Sequence, residues 1–279
     1  MMFSVGVTGL IEKNGRVAGV QAKRQGETIE VRAGVVIATD GRFSKLRSMA
    51  GFKGLDQSPV MDVAWLRIPF EAGDAENKGA FYTGNGRICI LLARPGEWQI
   101  GYVFPKGDFN AIRAQGIGAL QSDVSAIVPW LADRMGNITE FSQVHLLSVK
   151  ADRLDRWYKD GLLFIGDAAH AMSPIGGIGI NYAINDAVET ANVLLPEFER
   201  GEPVRELCLQ EIQHRRENPT AKIQKIQSFM QNNLVSLALN NKDFRLPWPA
   251  RVMLRIPWLR DIPPRTVALG ISRVFIEDP

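Results

Sequence analysis

The segment 161–195, GLLFIGDAAHAMSPIGGIGINYAINDAVETANVLL, constrains the fold more than any other part of the chain. It opens on a short apolar run, residues 162–165, of the kind that fills a strand buried on both faces. From residue 178 to residue 195, apolar side chains recur at helical spacing. The segment therefore predicts a buried strand, a loop and a helix, and so a fold of the α+β or α/β class.

A proline and a run of glycines occupy the loop between that strand and that helix. Ser173 avoids the helical region because Pro174 follows it, so the loop is extended there. Gly176, Gly177 and Gly179 carry no side chains, which lets a flat ligand approach the backbone. The first N–H groups of the helix would face that ligand and stabilise negative charge on it. A tight strand-to-helix turn would use the same glycines, so the residues alone leave both interpretations open.

Two pairs of glycine and aspartate follow apolar runs. Gly166-Asp167 ends the first predicted strand, and a carboxylate at that place is suited to accept hydrogen bonds from a ligand hydroxyl such as that of ribitol. Asp40-Gly41 follows the apolar run 35–38 in the same way, although this pair is also a common turn. From the residues alone, the Gly166-Asp167 pair is a candidate ligand contact.

The rest of the chain divides into β-patterned and helical stretches. Residues 3–38 and 60–105 have strand patterns, with a hairpin turn at Asn14-Gly15 in the first and antiparallel strands in the second. Further helices and one short strand complete the pattern: helices in 109–135, 204–217 and 221–239, and a strand within 142–151. One apolar stripe marks the last of these helices: Ile223, Ile226, Met230, Leu234 and Leu237.

Composition narrows the function classes. The chain has 279 residues, which allows one large domain or two modest ones, and its net charge of +3 is far from a nucleic-acid footprint. Cys89 and Cys208 lie far apart and the three histidines are scattered, so we expect reduced thiols and no metal site. Without an apolar run of membrane-spanning length or a signal pattern, the expected location is the cytoplasm. Residues 250–266 mix arginine with large apolar side chains, which leaves a membrane-surface role open.

Two motifs resemble the FAD-dependent aromatic hydroxylases, the single-component flavoprotein monooxygenases typified by para-hydroxybenzoate hydroxylase. GDAAHAMSPIGGIGINYAINDA, beginning at Gly166, is similar to the second flavin motif of that family. VVIATDGRFSKLRSMAG, beginning at Val35, is similar to its other internal signature. Their order and separation fit as well, so the resemblance spans essentially the whole chain.

The resemblance implies a fold and a cofactor. The fold would be a three-layer FAD-binding domain with an antiparallel substrate-binding sheet and a helical C-terminus. The cofactor would be FAD, with NADH or NADPH as co-substrate. The implied cofactor-binding residues are Asp40, Gly41, Arg47, Gly166, Asp167, Pro174, Gly176, Gly177, Gly179, Ile180 and Asn181.

Within that set, the resemblance assigns individual roles. Asp167 would hold the ribitol hydroxyls of FAD, and Pro174 would line the flavin ring. Residues 179–181 would present backbone to the pyrimidine end of the ring. Arg47 would act through its charge near the pyrophosphate, and a solvated helix charge is its alternative interpretation. His170 also matches a frequent family residue, and we interpret it as structural because no neighbour in the sequence suggests a proton relay.

The implied reaction is hydroxylation of an aromatic or similar electron-rich small molecule with NAD(P)H and O₂. The substrate would lie against the 60–105 sheet, where six aromatic residues are candidates either for its wall or for core packing: Trp65, Phe81, Tyr82, Trp98, Tyr102 and Phe104. A flavin-dependent reductase, dehydrogenase or halogenase of the same fold is the alternative enzyme. No single residue is assigned as catalytic, and a homodimer stays open.

One departure from the family pattern is clear. The N-terminal GxGxxG unit, on the order of a hundred residues in such folds, has no counterpart, so the sequence predicts a truncated FAD-binding domain. The sheet would then have exposed edges at 35–38 and 162–165, and a non-catalytic fragment is a third interpretation. The expected divisions are FAD-binding residues 1–58, a substrate sheet over 59–150, FAD-binding residues 151–200 and C-terminal helices over 201–279.

Overall fold

The computed structural model describes residues 1–57, 59–71, 73–74, 79–240, 252, 255–256 and 271–277. The chain forms two compact units, and each is described by itself. Unit 1 contains Met1–Gln57, Lys150–Gln227 and Pro257–Pro279, and unit 2 contains Ser58–Val149 and Ser228–Ile256. Of the stretch 250–266, only residues 252, 255 and 256 are described, so its expected membrane-surface character lies largely outside the described residues.

Thirteen strands and six α-helices make up the described regular structure. The strands are β1 (Val5–Lys13), β2 (Arg16–Arg24), β3 (Glu27–Arg32), β4 (Val36–Ala38), β5 (Gly54–Asp56), β6 (Met61–Pro69), β7 (Gly79–Gly84), β8 (Arg87–Arg94), β9 (Glu97–Pro105), β10 (His145–Leu147), β11 (Asp152–Leu154), β12 (Tyr158–Lys159) and β13 (Leu162–Phe164). The helices are α1 (Lys45–Met49), α2 (Phe109–Ala114), α3 (Ile117–Ile127), α4 (Gly179–Glu199), α5 (Glu206–Met230) and α6 (Ser236–Asn240). Short 3₁₀ helices lie at Pro129–Asn137, Phe141–Gln143, Gly166–Ala168 and Ile175–Gly177, and a π-helical turn at Gln231–Val235.

The N-terminal part of unit 1 is an antiparallel meander of β1, β2 and β3. Asn14 and Gly15 form the first turn with φ values of 53° and 80°, which confirms the hairpin that this pair predicts. Both residues need positive φ in the tight turn that matches strand twist, and asparagine and glycine tolerate it best. The meander supplies Val17 to the core beneath the next sheet.

The central sheet of unit 1 has the order β12-β13-β4. β13 runs parallel to β4, with Phe164 opposite Ala38, and antiparallel to β12. Leu163 packs among the helices α4 and α5, whereas Phe164 packs on the other face toward the meander. Helices, sheet and meander therefore form three layers, as the family resemblance implied.

The edges of this sheet correct one expectation. β4 is an edge strand, and Ile37 at its centre is 38% exposed, so the exposed edge predicted at 35–38 is confirmed. The prediction of an exposed edge at 162–165 is wrong, because β13 pairs with a neighbour on each side. Beside β4 lies a groove of about 300 Å³ in unit 1, lined by Ile37, Ile165, Ala187, Ala191, Leu194 and Phe198, together with Thr190 and Leu195.

Unit 2 is built on a five-stranded antiparallel sheet in the order β10-β6-β9-β8-β7. One face of this sheet packs against α3 and the 3₁₀ helix Pro129–Asn137 to form its core. The helical stretch predicted over 109–135 is divided in three, because Gly116 at φ 86° ends α2 and Pro129 ends α3. The strand predicted within 142–151 is shorter than expected and covers His145–Leu147.

The C-terminal helices differ from the prediction of two segments. α5 is one helix that continues through Pro219. Of the predicted apolar stripe, Ile223 is buried, but Ile226 and Met230 face solvent. The start of α5 packs in the apolar core with Leu163, through Cys208, Leu209 and Ile212, whereas several polar residues are buried further along, where the helix packs on the backbone of an irregular loop. Among the described helices, none has the length and hydropathy needed to span a membrane.

Candidate flavin site

Gly166 forms the turn at the end of β13. Its φ is 57°, and a β-carbon added there would lie 3.0 Å from the β-carbon of Ala183 in α4. A residue with a side chain would therefore meet both a left-handed backbone and a close helix. Asp167 follows in a half-buried position, and Ile165 N–H donates to Ala38 O at 3.2 Å, so this turn lies beside the end of β4.

The backbone of the glycine loop is open. Gly176 and Gly177 have φ values of 81° and 65° and are both exposed, and a β-carbon at Gly177 would meet no atom within 4 Å. α4 starts at Gly179, and no side chain caps its first turn. The unpaired N–H groups at a helix start carry the positive end of the dipole. The site therefore offers bare backbone and partial positive charge to a flat ligand.

The remaining predicted residues of this loop are close by in the chain and partly accessible. Pro174 and Asn181 are half-buried, and Ile180 is exposed. Gly179 has space around it, since the nearest atom to an added β-carbon would be 3.8 Å away in Met172. Accessible backbone on both sides of the helix start fits a ring system bound edge-on, so these residues are compatible with an isoalloxazine.

The Asp40-Gly41 motif follows β4, the parallel neighbour of β13. Both glycine–aspartate pairs therefore lie at the carboxyl ends of two adjacent parallel strands. Asp40 Oδ2 accepts the N–H of Leu46 at 3.2 Å, and Ser44 Oγ caps α1 by accepting the N–H of Arg47 at 3.1 Å. Gly41 has a φ of 81° with open space beside it.

Arg47 is placed differently from either interpretation of the sequence. Its guanidinium is buried and forms an ion pair with Asp152 Oδ1 at 3.1 Å. Lys150 Nζ lies 3.2 Å from the second oxygen of the same carboxylate. Arg47 is therefore not a solvated helix charge, and its charge is used to join α1 to β11.

A buried carboxylate, Asp186 in α4, organises the turn from within. Asp186 Oδ2 accepts the N–H of Gly166 at 2.9 Å and lies 2.5 Å from His170 Nε2, and Oδ1 accepts Arg216 Nε at 2.8 Å. Burial raises the pKa of Asp186, but the charges and hydrogen bonds of His170 and Arg216 outweigh it and hold that pKa below its usual value. Asp186 is therefore an ionised carboxylate inside the protein.

His170 is buried against the ring of Trp157, with ring centroids 4.7 Å apart. Its environment agrees with a structural role, but its partner was missed: Asp186 lies sixteen residues further along the chain. A charged residue within an apolar-patterned helix was the available signal for that partner, because such a residue is seldom buried unpaired.

Comparison with known proteins settles the family. A family profile described as an FAD binding domain matches residues 2–225. The chain belongs to this FAD-binding family of the aromatic hydroxylases. It is 32% identical over 267 residues to 6-methylpretetramide 4-monooxygenase of Streptomyces rimosus, covering 95% of this chain and 62% of that protein.

Other relatives are more distant. Digeranylgeranylglycerophospholipid reductase of Methanocella arvoryzae is 31% identical over 195 residues, which cover 67% of this chain and 47% of that protein. The fold is similar to that of PqsL, a probable FAD-dependent monooxygenase from Pseudomonas aeruginosa, with a TM-score of 0.66 at 18% identity, over 85% of this chain and 64% of that one. The chain thus spans about half to two thirds of the length of these relatives. The family match supports FAD as the cofactor.

Proposed function

We propose that this chain forms the flavin-ring and substrate-binding parts of an FAD-dependent monooxygenase that hydroxylates an aromatic small molecule with NADH or NADPH and O₂. The observation that carries the proposal is the open glycine loop, which joins Asp167 to the uncapped start of α4. The 32% identity to a named monooxygenase across almost the whole chain supports the same reaction class.

In this proposal each part of the site has one task. Asp167 accepts hydrogen bonds from the ribitol, Pro174 lies against the ring, and residues 179–181 present backbone to its pyrimidine end. FAD, when bound, supplies the transfer of reducing equivalents from NAD(P)H and the reaction with O₂. The dipole of α4 stabilises negative charge on the ring. Asp40 and Gly41 line the approach to the phosphates, while Arg47 supports them by fixing α1.

The six aromatic candidates for a substrate wall lie on two different faces of the sheet of unit 2. Trp98, Tyr102 and Phe104 are buried in the core formed with α3, and Tyr82 packs against that core. For these four residues core packing is the correct interpretation. Trp65 and Phe81 point to the opposite face, because neighbouring residues along a strand alternate between faces.

On that opposite face, one cross-strand row joins all five strands. Phe81 is paired with Ile90, Ile90 with Gly101, Gly101 with Trp65, and Trp65 with His145. The Trp65 ring lies over Gly101, where an added β-carbon would be 2.9 Å from a ring carbon. At the usual strand spacing the row is about 19 Å long, which suits a planar molecule of several fused rings. We propose this row as the substrate platform.

FAD uptake tests the proposal first. The purified chain should keep a bound-flavin absorbance spectrum after desalting, and Asp167→Ala should weaken FAD binding by about 10- to 150-fold, since a hydrogen bond to a charged group is worth about 1.5–3 kcal/mol. Asp155→Ala, at an exposed aspartate of unit 1, is the matched control. A chain that takes up no FAD would refute the proposal for this polypeptide.

A reductase is the second candidate, because the second relative is named as one and is 31% identical over 67% of the chain. Oxygen electrode measurements separate the two. A monooxygenase consumes one O₂ for each NAD(P)H oxidised in the presence of an aromatic substrate. NAD(P)H oxidation with a substrate reduced and without O₂ uptake would favour the reductase.

A further inference from the structure

The buried side of α5 carries a polar stripe beside its buried apolar residues. Its members recur at intervals of three and four residues, which places them on one helix face: Gln213, Arg216, Thr220, Gln224 and Gln227. All five are buried. Burying amide and guanidinium groups is unfavourable unless they are hydrogen-bonded, so such a stripe indicates specific partners.

Four of the five residues have such partners in the described structure, whereas Thr220 Oγ1 is buried with none. Gln213 accepts the N–H of Trp157 at 2.8 Å, and Arg216 binds Asp186, which holds Gly166. Gln224 Nε2 donates to the carbonyls of Asp152 at 3.1 Å and Ala171 at 3.3 Å. These four residues, Gln213, Arg216, Gln224 and Gln227, are named here the α5 clamp, and they hold the chain on both sides of the candidate flavin turn, Arg216 through Asp186.

The last member of the α5 clamp lies beside the glycine loop. Gln227 Nε2 donates to Ser173 O at 2.8 Å and to Ile175 O at 2.9 Å, and its side chain is buried. These two carbonyls flank Pro174. Backbone carbonyls inside a protein need a hydrogen-bond donor, and for these two the donor is a side chain of α5, which fixes where they point.

We propose that Gln227 is a positioning residue of the flavin site. By holding the carbonyls on either side of Pro174, it sets the position of the proline ring and of the exposed glycines that follow. The role rests on the proposed function, since it assumes that this loop receives the flavin ring. An apolar residue of equal size would fill the same volume, so packing alone does not require glutamine.

The test compares Gln227→Met, which keeps the size and removes both donors, with Gln210→Met at an exposed position of the same helix. In the FAD-free protein, hydrogen exchange of a peptide covering 173–178 should become about tenfold faster in Q227M and stay unchanged in Q210M, because losing a hydrogen bond removes about 0.5–1.5 kcal/mol. Exchange in the β1–β2 hairpin should be the same in all three proteins.

A second arm uses FAD itself. Q227M should bind FAD about 10- to 30-fold more weakly and change the shape of the visible flavin band, whereas Q210M should match the wild type. If Q227M does not fold, Gln227→Asn replaces it, since its shorter amide keeps a donor but does not reach both carbonyls. The same changes are expected of that variant.

The outcomes are distinct. Equal loop exchange in Q227M and Q210M overturns the clamp, whatever the flavin does. Faster exchange with unchanged FAD affinity and flavin band makes the clamp purely structural and overturns the positioning role. A wild-type chain that takes up no FAD refutes the proposed function, and the flavin role of Gln227 is then refuted with it.

Discussion

Replacing Gly166 by alanine should destabilise unit 1 more than the same change at Gly177. Both positions have left-handed backbone, with φ of 57° and 65°, which costs an alanine about 1–2 kcal/mol. At Gly166 the new methyl group would also lie 3.0 Å from Ala183, and overpacking of that kind adds about 1–3 kcal/mol. At Gly177 the added β-carbon would meet no atom within 4 Å.

Thermal unfolding followed by circular dichroism measures the difference. For a domain of 150–250 residues, 1 kcal/mol corresponds to about 2–4 °C, so Gly166→Ala should lower the melting temperature by roughly 4–20 °C and Gly177→Ala by roughly 2–8 °C. Gly34→Ala is the control, because Gly34 has open space and no positive φ. FAD affinity should fall more in Gly177→Ala than its small loss of stability suggests, because the free space beside Gly177 is the space offered to the ligand.

Two results would refute this reasoning. If Gly166→Ala is no less stable than Gly177→Ala, the approach of Ala183 does not limit this turn. If Gly177→Ala binds FAD as tightly as the wild type, the exposed face of the glycine loop is not where the ligand lies.

Two further predictions concern one residue in each unit. Asp186→Asn should cost about 3–5 kcal/mol at pH 7, because it leaves the Arg216 charge buried without its partner. The folded-state pKa of Asp186 is lowered, so the contribution of Asp186 to the free energy of unfolding is complete above the unfolded pKa near 4 and is lost as the pH falls below it. In urea unfolding, the difference in stability between Asp186→Asn and the wild type should therefore be smaller at pH 3.5 than at pH 7. An equal difference at both pH values would contradict the assignment. Trp65→Leu should weaken binding of a fused-ring aromatic ligand by about tenfold in fluorescence titration while leaving the melting temperature within a few degrees, and unchanged binding would remove Trp65 from the platform.

Local chemistry explains what the sequence predicted well. The strand at 162–165, the turn at Gly166-Asp167 and the helix after Gly179 each depend on short-range rules, and all three are present. The Asn14-Gly15 hairpin followed for the same reason. The family resemblance added the cofactor, which no periodicity or composition of this chain indicates.

Long-range partners explain what was missed. Arg47 pairs with Asp152 more than a hundred residues away, and His170 pairs with Asp186 on a different element. A local pattern marks Asp186 as a charged residue in an apolar-patterned helix, but none shows which residues pair. The apolar stripe predicted for α5 was wrong at Ile226 and Met230 for a related reason. Helix periodicity assumes an apolar neighbour, whereas the C-terminal part of α5 packs on loop backbone, where Gln224 and Gln227 donate hydrogen bonds to its carbonyls.

The open edge of β4 has a consequence for handling the protein. Among the strands that the structure describes, β4 pairs only with β13, and a strand at the edge of a sheet is a template for another strand, an encounter that the apolar groove beside it would favour. Association at this edge would grow with protein concentration and would compete with unfolding in a melting experiment. Light scattering across a dilution series would therefore give the concentration below which affinities and melting temperatures of the variants describe single chains.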